Sequence, residues 1–339
     1  MPNRSDKIRA FILNNVGSHP NDIVAMTSAN FNVTRTTVHR HINTLVENGQ
    51  LIKSGVTANI NYYKSDNLNQ SHPYKISSKL LESDAYHNDF EHLFANFKEN
   101  IQDISYYGFT EVFNNAIDHS KGKKIVASTK LCKDKLTISI EDDGVGIFVK
   151  IALFLKLDDI QESVLQLSKG KLTTDSIHHS GEGLFFCARI FDVFEIYANG
   201  IHYYRDNQDN DWGIESINKM PSGTKICMTI NINSEKKLIS IFKKYQDSES
   251  MEFNRTEILV ELSRLGQEIL ISRSQAKRII VGLEKFNLIT LDFSGVRLIG
   301  QGFVDEMFRV FTQAHPDIKI RYIHANENVE FMIKRSGGC

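Results

Sequence analysis

Cysteine is scarce in this 339-residue sequence. The four cysteines, Cys132, Cys187, Cys227 and Cys339, lie far apart, and no two of them have the CxxC spacing of a zinc-ligand pair. Neither a zinc site nor a disulfide framework is therefore indicated. The few thiols fit a reducing compartment, and we expect the protein to be cytoplasmic.

Long apolar runs are also missing. No segment approaches the roughly 18 consecutive apolar residues of a transmembrane helix. The amino-terminal MPNRSDKIRAFILNN lacks the apolar core of a secretory signal. The sequence thus argues against a membrane protein and predicts no membrane partner.

An excess of one charge is missing as well, because the net charge is -1. Residues 1–64 depart from this balance, with seven Lys and Arg against three Asp and Glu. We therefore expect an anionic partner at the amino-terminal end. At about 150 residues per domain, the length predicts two or three domains.

Residues 4–64 have the pattern of three helices followed by a β-hairpin. The segment GSHPND separates the first two helices, and Asp22 is expected to cap the second. After a turn at residues 32–33, Thr34 is expected to cap a third helix. The segments QLIKSG and ANINYYK then predict two short strands. The apolar positions that should face inward on the third helix are Val38, Ile42, Leu45 and Val46.

This pattern resembles the winged helix-turn-helix domains of bacterial transcription regulators. In that family the exposed start of the third helix enters the DNA major groove. The resemblance therefore implies double-stranded DNA as a partner. A winged helix that binds protein instead, with the same residues as ordinary surface, stays open. The candidate DNA contacts are Arg35, Thr36, Thr37, His39 and Arg40.

The stretch EVFNNAIDHS, residues 111–120, predicts a helix with a polar face. Glu111, Asn115 and Asp118 recur at i, i+4 and i+7, so their side chains project from the same side. Apolar residues on the opposite flank make the helix amphipathic. Taken alone, the polar face is either a binding site or a solvated surface.

Three glycine-containing motifs follow this helix. LTISIEDDGVGIF ends a predicted strand, SGEGLFF begins a predicted helix, and SGTKICMTI begins another strand. Each motif is a weak functional signal on its own. The signal becomes specific through the order and spacing of the three motifs together with EVFNNAIDHS. Their candidate site residues are Asp142, Gly144, Gly146, Gly181, Gly183 and Thr224.

Together, over residues 80–232, the four motifs resemble the GHKL family of ATP-binding domains. This family includes gyrase, MutL, sensor histidine kinases and the anti-sigma serine kinases. EVFNNAIDHS resembles the N-box, and DDGVGI, SGEGL and SGT resemble the three glycine boxes. The resemblance implies a Bergerat α/β sandwich with ATP and Mg²⁺ as cofactors.

The resemblance also implies roles for the polar helix. Asn115 would give one oxygen ligand to Mg²⁺, a cation that prefers oxygen and retains several waters. Glu111, one turn earlier, would be the general base for attack on the γ-phosphate. Asp118 and His119 match positions that line the nucleotide pocket.

The glycine boxes would bind the nucleotide itself. By resemblance, Asp142 would accept the adenine amino group, with Thr224 near the adenine edge. Gly144 and Gly146 would let the backbone approach the base. The other two glycines, Gly181 and Gly183, would present amides to the phosphates at a helix N-terminus.

Residues 148–180 would form the lid of such a domain. The segment IALFLKLDDIQESVLQLSKG predicts one or two helices within it. Lys169 and Lys171, near its end, would reach phosphates in a closed state, but a solvated role is the more common one for such lysines. We do not assign them to the site.

A conventional sensor histidine kinase is not expected. Residues 66–100 are too short to hold both a phospho-accepting helical hairpin and the first helix of the ATP domain. A glutamate four residues before Asn115 resembles gyrase-like ATPases and the anti-sigma serine kinases. Phosphoryl transfer to water and transfer to a protein serine both stay open.

Residues 253–335 alternate strand and helix, as in a small α/β domain. LITLDFSGVRLIGQGFVDEMFRVF resembles STAS-like domains, relatives of the anti-sigma-factor antagonists that GHKL kinases phosphorylate. Where those antagonists carry the phosphorylated serine, this chain has Gly300, Gln301 and Gly302, so phosphorylation in that manner is not expected. The segment SRSQAKR, with Ser272 as a helix cap, is a candidate site for an anion or a partner.

The sequence therefore predicts a multidomain α+β protein. A winged helix would occupy residues 1–66, a GHKL α/β sandwich residues 67–232, and a STAS-like domain residues 233–339. We expect a homodimeric DNA-binding regulator in which Mg-ATP binding and slow hydrolysis switch module docking or dimerisation. A protein partner is expected at the STAS-like domain. The alternatives are a protein serine kinase of the partner-switching type and a DNA-stimulated ATPase in defence or repair.

Overall fold

The structure of the protein is a computed structural model with mixed α/β, multidomain architecture. No helix within the described parts of the chain has the length and apolarity to cross a bilayer. The described residues are 3–48, 50–54, 60–64, 68–95, 97–172, 181–218, 222–247, 251–265 and 269–335.

The amino-terminal segment contains three helices and an antiparallel pair of strands. Asn32 adopts a left-handed conformation (φ 47°) at the end of the second helix. Thr34 then caps the third by accepting from the backbone N–H of Thr37 (3.2 Å). Asp22 precedes the second helix as predicted, but it makes no side-chain capping bond, and its carboxylate instead lies 3.1 Å from His19 Nδ1. The elements are α1 (Arg4–Asn15), α2 (Ile23–Phe31), α3 (Arg35–Glu47), β1 (Leu51–Ser54) and β2 (Asn61–Lys64).

The β1–β2 pair has two buried faces. Leu51 and Tyr62 complete a small apolar core with α1, α2 and α3. Ile52 and Tyr63, which are paired across the two strands, contact the larger core of the following segment instead. The Tyr63 ring meets Phe97 edge-on at 5.8 Å. Residues 55–59, which include the end of the predicted QLIKSG strand and the start of the predicted ANINYYK strand, lie outside the described residues.

The central segment is built on one antiparallel sheet. Within the described residues its strand order is β3-β4-β5-β9-β6-β7-β8. The edge strand β3 was not predicted, since Pro73 and its polar neighbours do not read as a strand, and Pro73 is tolerated because an edge strand has one unpaired side. The strands are β3 (Gln70–Lys75), β4 (Lys124–Cys132), β5 (Lys135–Asp142), β6 (Val193–Ala198), β7 (Ile201–Asp206), β8 (Asp211–Ser216) and β9 (Thr224–Asn231).

The helices of this segment surround a long central one. EVFNNAIDHS is the end of that helix, whose apolar side buries Phe109 and Phe113 in the main core. Two helices occupy the first part of the predicted lid, and residues 173–180 lie outside the described part of the chain. The helices are α4 (Glu82–Asp89), α5 (Glu91–Phe94), α6 (Glu99–His119), α7 (Ile147–Leu155), α8 (Glu162–Lys169), α9 (Gly183–Ile190) and α10 (Leu238–Tyr245).

The carboxy-terminal segment contains a three-stranded parallel sheet in the order β10-β11-β12. Strands and helices alternate as the sequence predicts, and a π-helical stretch, residues 305–310, joins two short helices. The elements are β10 (Arg255–Leu259), α11 (Arg273–Ile280), β11 (Leu288–Asp292), α12 (Gln301–Val304), α13 (Phe311–Ala314), β12 (Lys319–Ile323) and α14 (Glu327–Arg335).

Helix α11 contains the candidate anion-binding segment SRSQAKR. Ser272 caps it through a capping box with Gln275, which confirms the predicted cap. Its cations are paired within the chain: Arg273 with Asp305 at 2.9 Å, Lys277 with a glutamate of the π-helical stretch, and Arg278 with a glutamate of α8. The contacts do not favour an anion at this segment.

One apolar core extends from the central sheet into the carboxy-terminal segment. Phe253, just before β10, packs on Phe185 (ring centroids 4.5 Å apart) and on Phe186 (5.1 Å). The two segments are therefore packed against each other and not merely linked.

Candidate functional site

A cavity of about 340 Å³ lies between α6, α7, the start of α9 and the adjoining ends of β5 and β9. This volume is within the range of about 300–1,000 Å³ typical of small-molecule sites. All four motifs contribute to its lining. The predicted site residues that line it are Glu111, Asn115, His119, Asp142, Gly146, Gly181, Gly183 and Thr224.

Two predicted residues do not line the cavity. Asp118 is exposed in the last turn of α6, where the next residue, His119, reaches the cavity instead. Gly144 packs against the end of α6, because a Cβ there would lie 2.1 Å from the carbonyl oxygen of Ser120. That carbonyl accepts from the N–H of Val145 at 3.0 Å. The requirement for glycine at 144 is thus contact with α6.

Asp142 ends β5 with its side chain turned inward, 7% exposed. Its Oδ1 accepts from the backbone N–H groups of Gly144 (2.8 Å) and Thr224 (3.3 Å). Burial raises the pKa of the Asp142 carboxyl, and these two hydrogen bonds oppose that rise. Gly223 has φ +102°, and a Cβ there would lie 1.9 Å from the Asp142 carbonyl oxygen. The surrounding backbone therefore holds a carboxylate in a fixed position at the cavity wall.

Glu111 and Asn115 lie one turn apart on the cavity side of α6. The Asn115 amide nitrogen donates to the Glu111 carbonyl oxygen at 2.7 Å, which fixes the orientation of the amide. A Cβ at Gly183 would fall 1.9 Å from Glu111 Oε2. The Glu111 carboxylate therefore lies directly against the first residue of α9, and a side chain at position 183 would displace it.

Sequence reasoning missed one residue that lines the cavity and one that holds the backbone beside it. Lys150 lines the cavity, and its Nζ donates to the His119 carbonyl oxygen at 2.9 Å. Burial lowers the pKa of Lys150, and the positive charge of the nearby Lys121 lowers it further. Asn199 holds the turn before α7, accepting from Val149 N–H (3.2 Å) and donating to the carbonyl of Val145 (3.0 Å). No motif contains either residue, and Asn199 is 50 positions from its partner Val149, so no local signal indicates it.

The start of α3 exposes most of the predicted DNA contacts. Arg35, Thr36, His39 and Arg40 are exposed. Thr37 is half-buried, and its hydroxyl bonds that of Thr34 at 3.0 Å, so it belongs to the helix cap. Within the described ranges no carboxylate forms an ion pair with either arginine.

Comparison with known families identifies one segment. Residues 275–330 match the family described as a STAS-like domain of unknown function (DUF4325). The match extends from α11 into α14. The curated proteins include no match to the chain. Residues 275–330 are therefore a STAS-like domain, as the sequence predicts. The wider bounds of that domain, residues 233–339, stay a prediction.

Proposed function

We propose that the protein is an ATP-dependent DNA-binding regulator. In this proposal the central segment is a GHKL-type domain that binds Mg-ATP, and the amino-terminal segment is a winged helix that binds duplex DNA. The STAS-like domain binds a protein partner. The observation that carries the proposal is the cavity, where residues from four separate motifs of the sequence meet.

In this proposal the adenine lies at the end of the cavity formed by Asp142 and Thr224. Asp142 offers a buried acceptor to an exocyclic amino group, held in place by backbone donors. Thr224 lies beside it and accepts from the N–H of Ile147 at 2.9 Å, which ties β9 to the start of α7. A donor–acceptor pair of this kind favours adenine over an apolar ligand of the same size.

The phosphates fit the other end, near α9. Gly181 and Gly183 line the cavity at the start of α9, where the helix dipole favours negative charge. The amide nitrogen of Asn115 is used within α6, so its oxygen is the atom left to hold Mg²⁺. When bound, Mg²⁺ would neutralise phosphate charge. Glu111 would accept a proton from the attacking water or hydroxyl.

The β1–β2 pair would couple nucleotide binding in the central segment to DNA binding by α3. Ile52 and Tyr63 contact the central core while their neighbours on the same strands hold α3 in place. A change in the central segment would therefore move the surface that carries Arg35 and Arg40. Nucleotide can shift this equilibrium only by binding one arrangement more tightly than the other.

A protein serine kinase of the partner-switching type is the second candidate. It is favoured by the STAS-like match, since STAS-like antagonists are the substrates in such systems. The start of α12 carries Gly300, Gln301 and Gly302 and no hydroxyl. The phosphate acceptor in this candidate would therefore lie on another polypeptide.

One experiment separates the candidates. Purified protein is incubated with γ-labelled ATP and Mg²⁺, with and without duplex DNA, and free phosphate and labelled protein are measured separately. The regulator predicts slow release of free phosphate and sequence-selective DNA binding. A labelled protein, in the sample or in added lysate, identifies the kinase. Phosphate release that any duplex stimulates would identify a DNA-directed ATPase in defence or repair.

A further inference from the structure

One wall of the cavity is attached to the STAS-like domain. Leu167 and Leu172 line the cavity, and the residues between them make contacts in the opposite direction, toward residues 253–286. We call residues 167–172 the wall segment.

Lys169 makes several of these contacts. Its side chain is 2% exposed, and Nζ donates to Gln166 Oε1 (2.8 Å) and to the carbonyl oxygens of Arg278 (3.1 Å) and Val281 (2.8 Å). The two carbonyls lie at the C-terminal end of α11, where the helix dipole favours a cation. Burial lowers the pKa of Lys169 to about 7, with the carboxylates of Glu284 and Glu162 opposing that effect. Three acceptors match the three N–H donors of the ammonium group, which offsets the cost of burying its charge.

Further contacts hold the rest of the wall segment. Thr256 of β10 donates to the carbonyl oxygen of Lys169 at 2.7 Å, and Lys171 Nζ donates to the carbonyl oxygen of Lys285 at 2.9 Å. Gly170 has φ +79°, and a Cβ there would lie 2.8 Å from the rings of Phe185 and Phe253. The wall segment is thus held by hydrogen bonds and by close apolar packing.

The facing wall is held from the same side. Phe185 of α9 lines the cavity and packs on Phe253. Arg189, also on α9, donates to the carbonyl oxygen of Glu257 in β10 at 3.1 Å. Both α8 and α9 are therefore attached to the first strand of the STAS-like domain.

We propose that the STAS-like domain preforms the nucleotide cavity, with Lys169 as the positioning residue that holds the wall segment. The inference rests on the proposed nucleotide binding. Because the wall segment is ordered before the nucleotide arrives, binding does not have to supply the free energy of ordering it, and the affinity for nucleotide is higher. Because linkage is reciprocal, a protein that draws α11 away weakens nucleotide binding, and nucleotide strengthens the docking of the STAS-like domain.

The test compares two variants of the full chain with a matched control. Lys169→Met keeps the apolar stem and removes the three donors. Thr256→Val is isosteric and removes one bond to the same residue from the STAS-like side. Thr137→Val is the control, since it breaks the 2.8 Å Thr137–Thr229 bond inside the central sheet, away from the STAS-like domain.

Mg-ATP affinity is measured by calorimetry for each protein. We expect Lys169→Met to weaken binding by about 5- to 150-fold, the range of typical coupling free energies, and Thr256→Val to weaken it less. Thr137→Val should bind as the wild type does. Unchanged or tighter binding by a folded Lys169→Met protein overturns the proposal.

Amide hydrogen exchange without nucleotide separates this inference from the proposed function. Lys169→Met should speed exchange in α8 and at the start of α9, whether or not the wild type binds ATP. If exchange there is unchanged, the STAS-like domain does not hold the wall segment. If exchange rises but the wild type binds no ATP, the wall is held as inferred and the nucleotide assignment is wrong.

Discussion

Glu257, in β10, offers the sharpest test of how the carboxy-terminal segment is attached to the central sheet. Its carboxylate lies 3.3 Å from an Arg205 guanidinium nitrogen and 3.6 Å from Lys244 Nζ, and the Tyr245 hydroxyl donates to it at 3.3 Å. Arg205 and Arg189 are both buried, and the carboxylate of Glu257 supplies negative charge that offsets the positive charge of both. Glu257→Gln keeps the shape and one acceptor but removes the charge.

The expected loss of stability is large for a near-isosteric change. Removing one partner of a buried ion pair costs roughly 3–5 kcal/mol, and the retained amide oxygen places this variant near the lower end, at about 3 kcal/mol. Burial opposes ionisation of Glu257, but the charges of Arg189, Arg205 and Lys244 outweigh it and lower its pKa. A lowered carboxyl pKa stabilises the fold above the unfolded value of about 4.3 and loses that effect as pH falls through the folded value.

The assay is urea unfolding of the full chain, followed by the fluorescence of Trp212. This is the one tryptophan of the sequence, and the Arg205 guanidinium stacks on its ring at 4.3 Å, so it reports on the site directly. The wild type should be more stable than Glu257→Gln at pH 7, and the difference should shrink as the pH falls below about 4. The control Glu330→Gln removes the exposed pair with Lys334 and should change stability by less than about 1 kcal/mol. Equal stability at pH 7, or a difference that persists in acid, would refute the reasoning.

The remaining predictions concern the proposed sites. Asp142→Asn replaces a hydrogen-bond acceptor that faces the cavity with an amide whose N–H groups would oppose the adenine amino group. Nucleotide binding measured by calorimetry should therefore be lost, and retained tight binding would contradict the adenine assignment. Glu111→Ala should keep nucleotide binding but slow phosphate release or transfer by about 10²- to 10⁴-fold, the usual effect of losing a general base. Unchanged turnover would show that Glu111 is not the general base. Arg35→Ala with Arg40→Ala should weaken DNA retention and reduce the salt slope by about two if both contact phosphate, while undiminished retention would argue against α3 as the DNA surface.

Local signals in the sequence predicted a good part of the structure. Thr34 and Ser272 were identified as helix caps from side-chain chemistry and the helix that follows, and both make capping bonds. The polar side of α6 was read from helical spacing alone, and Glu111 and Asn115 do share a cavity. These features depend on neighbours within a few residues, which is the range that a sequence pattern encodes.

The features that were missed depend on distant contacts. Lys169 was left unassigned between a phosphate contact and a solvated role. It is buried instead, and the sequence could not show this because its partners at the end of α11 are more than 100 positions away. Asn199 belongs to no motif and is required only because Gly146 and α7 fold back onto it. Asp118 was placed on the polar face by helical spacing and at the pocket by family resemblance, neither of which shows where the cavity ends along α6. Tertiary packing decided each of these positions.

Equilibrium binding of Mg-ATP to the wild-type chain, with Asp142→Asn as control, tests the central claim most directly. The account predicts saturable binding of one nucleotide per chain that ADP displaces and that the variant lacks. A folded wild-type chain that binds no ATP at millimolar concentration, or a variant that binds it equally well, would contradict the assignment of the cavity.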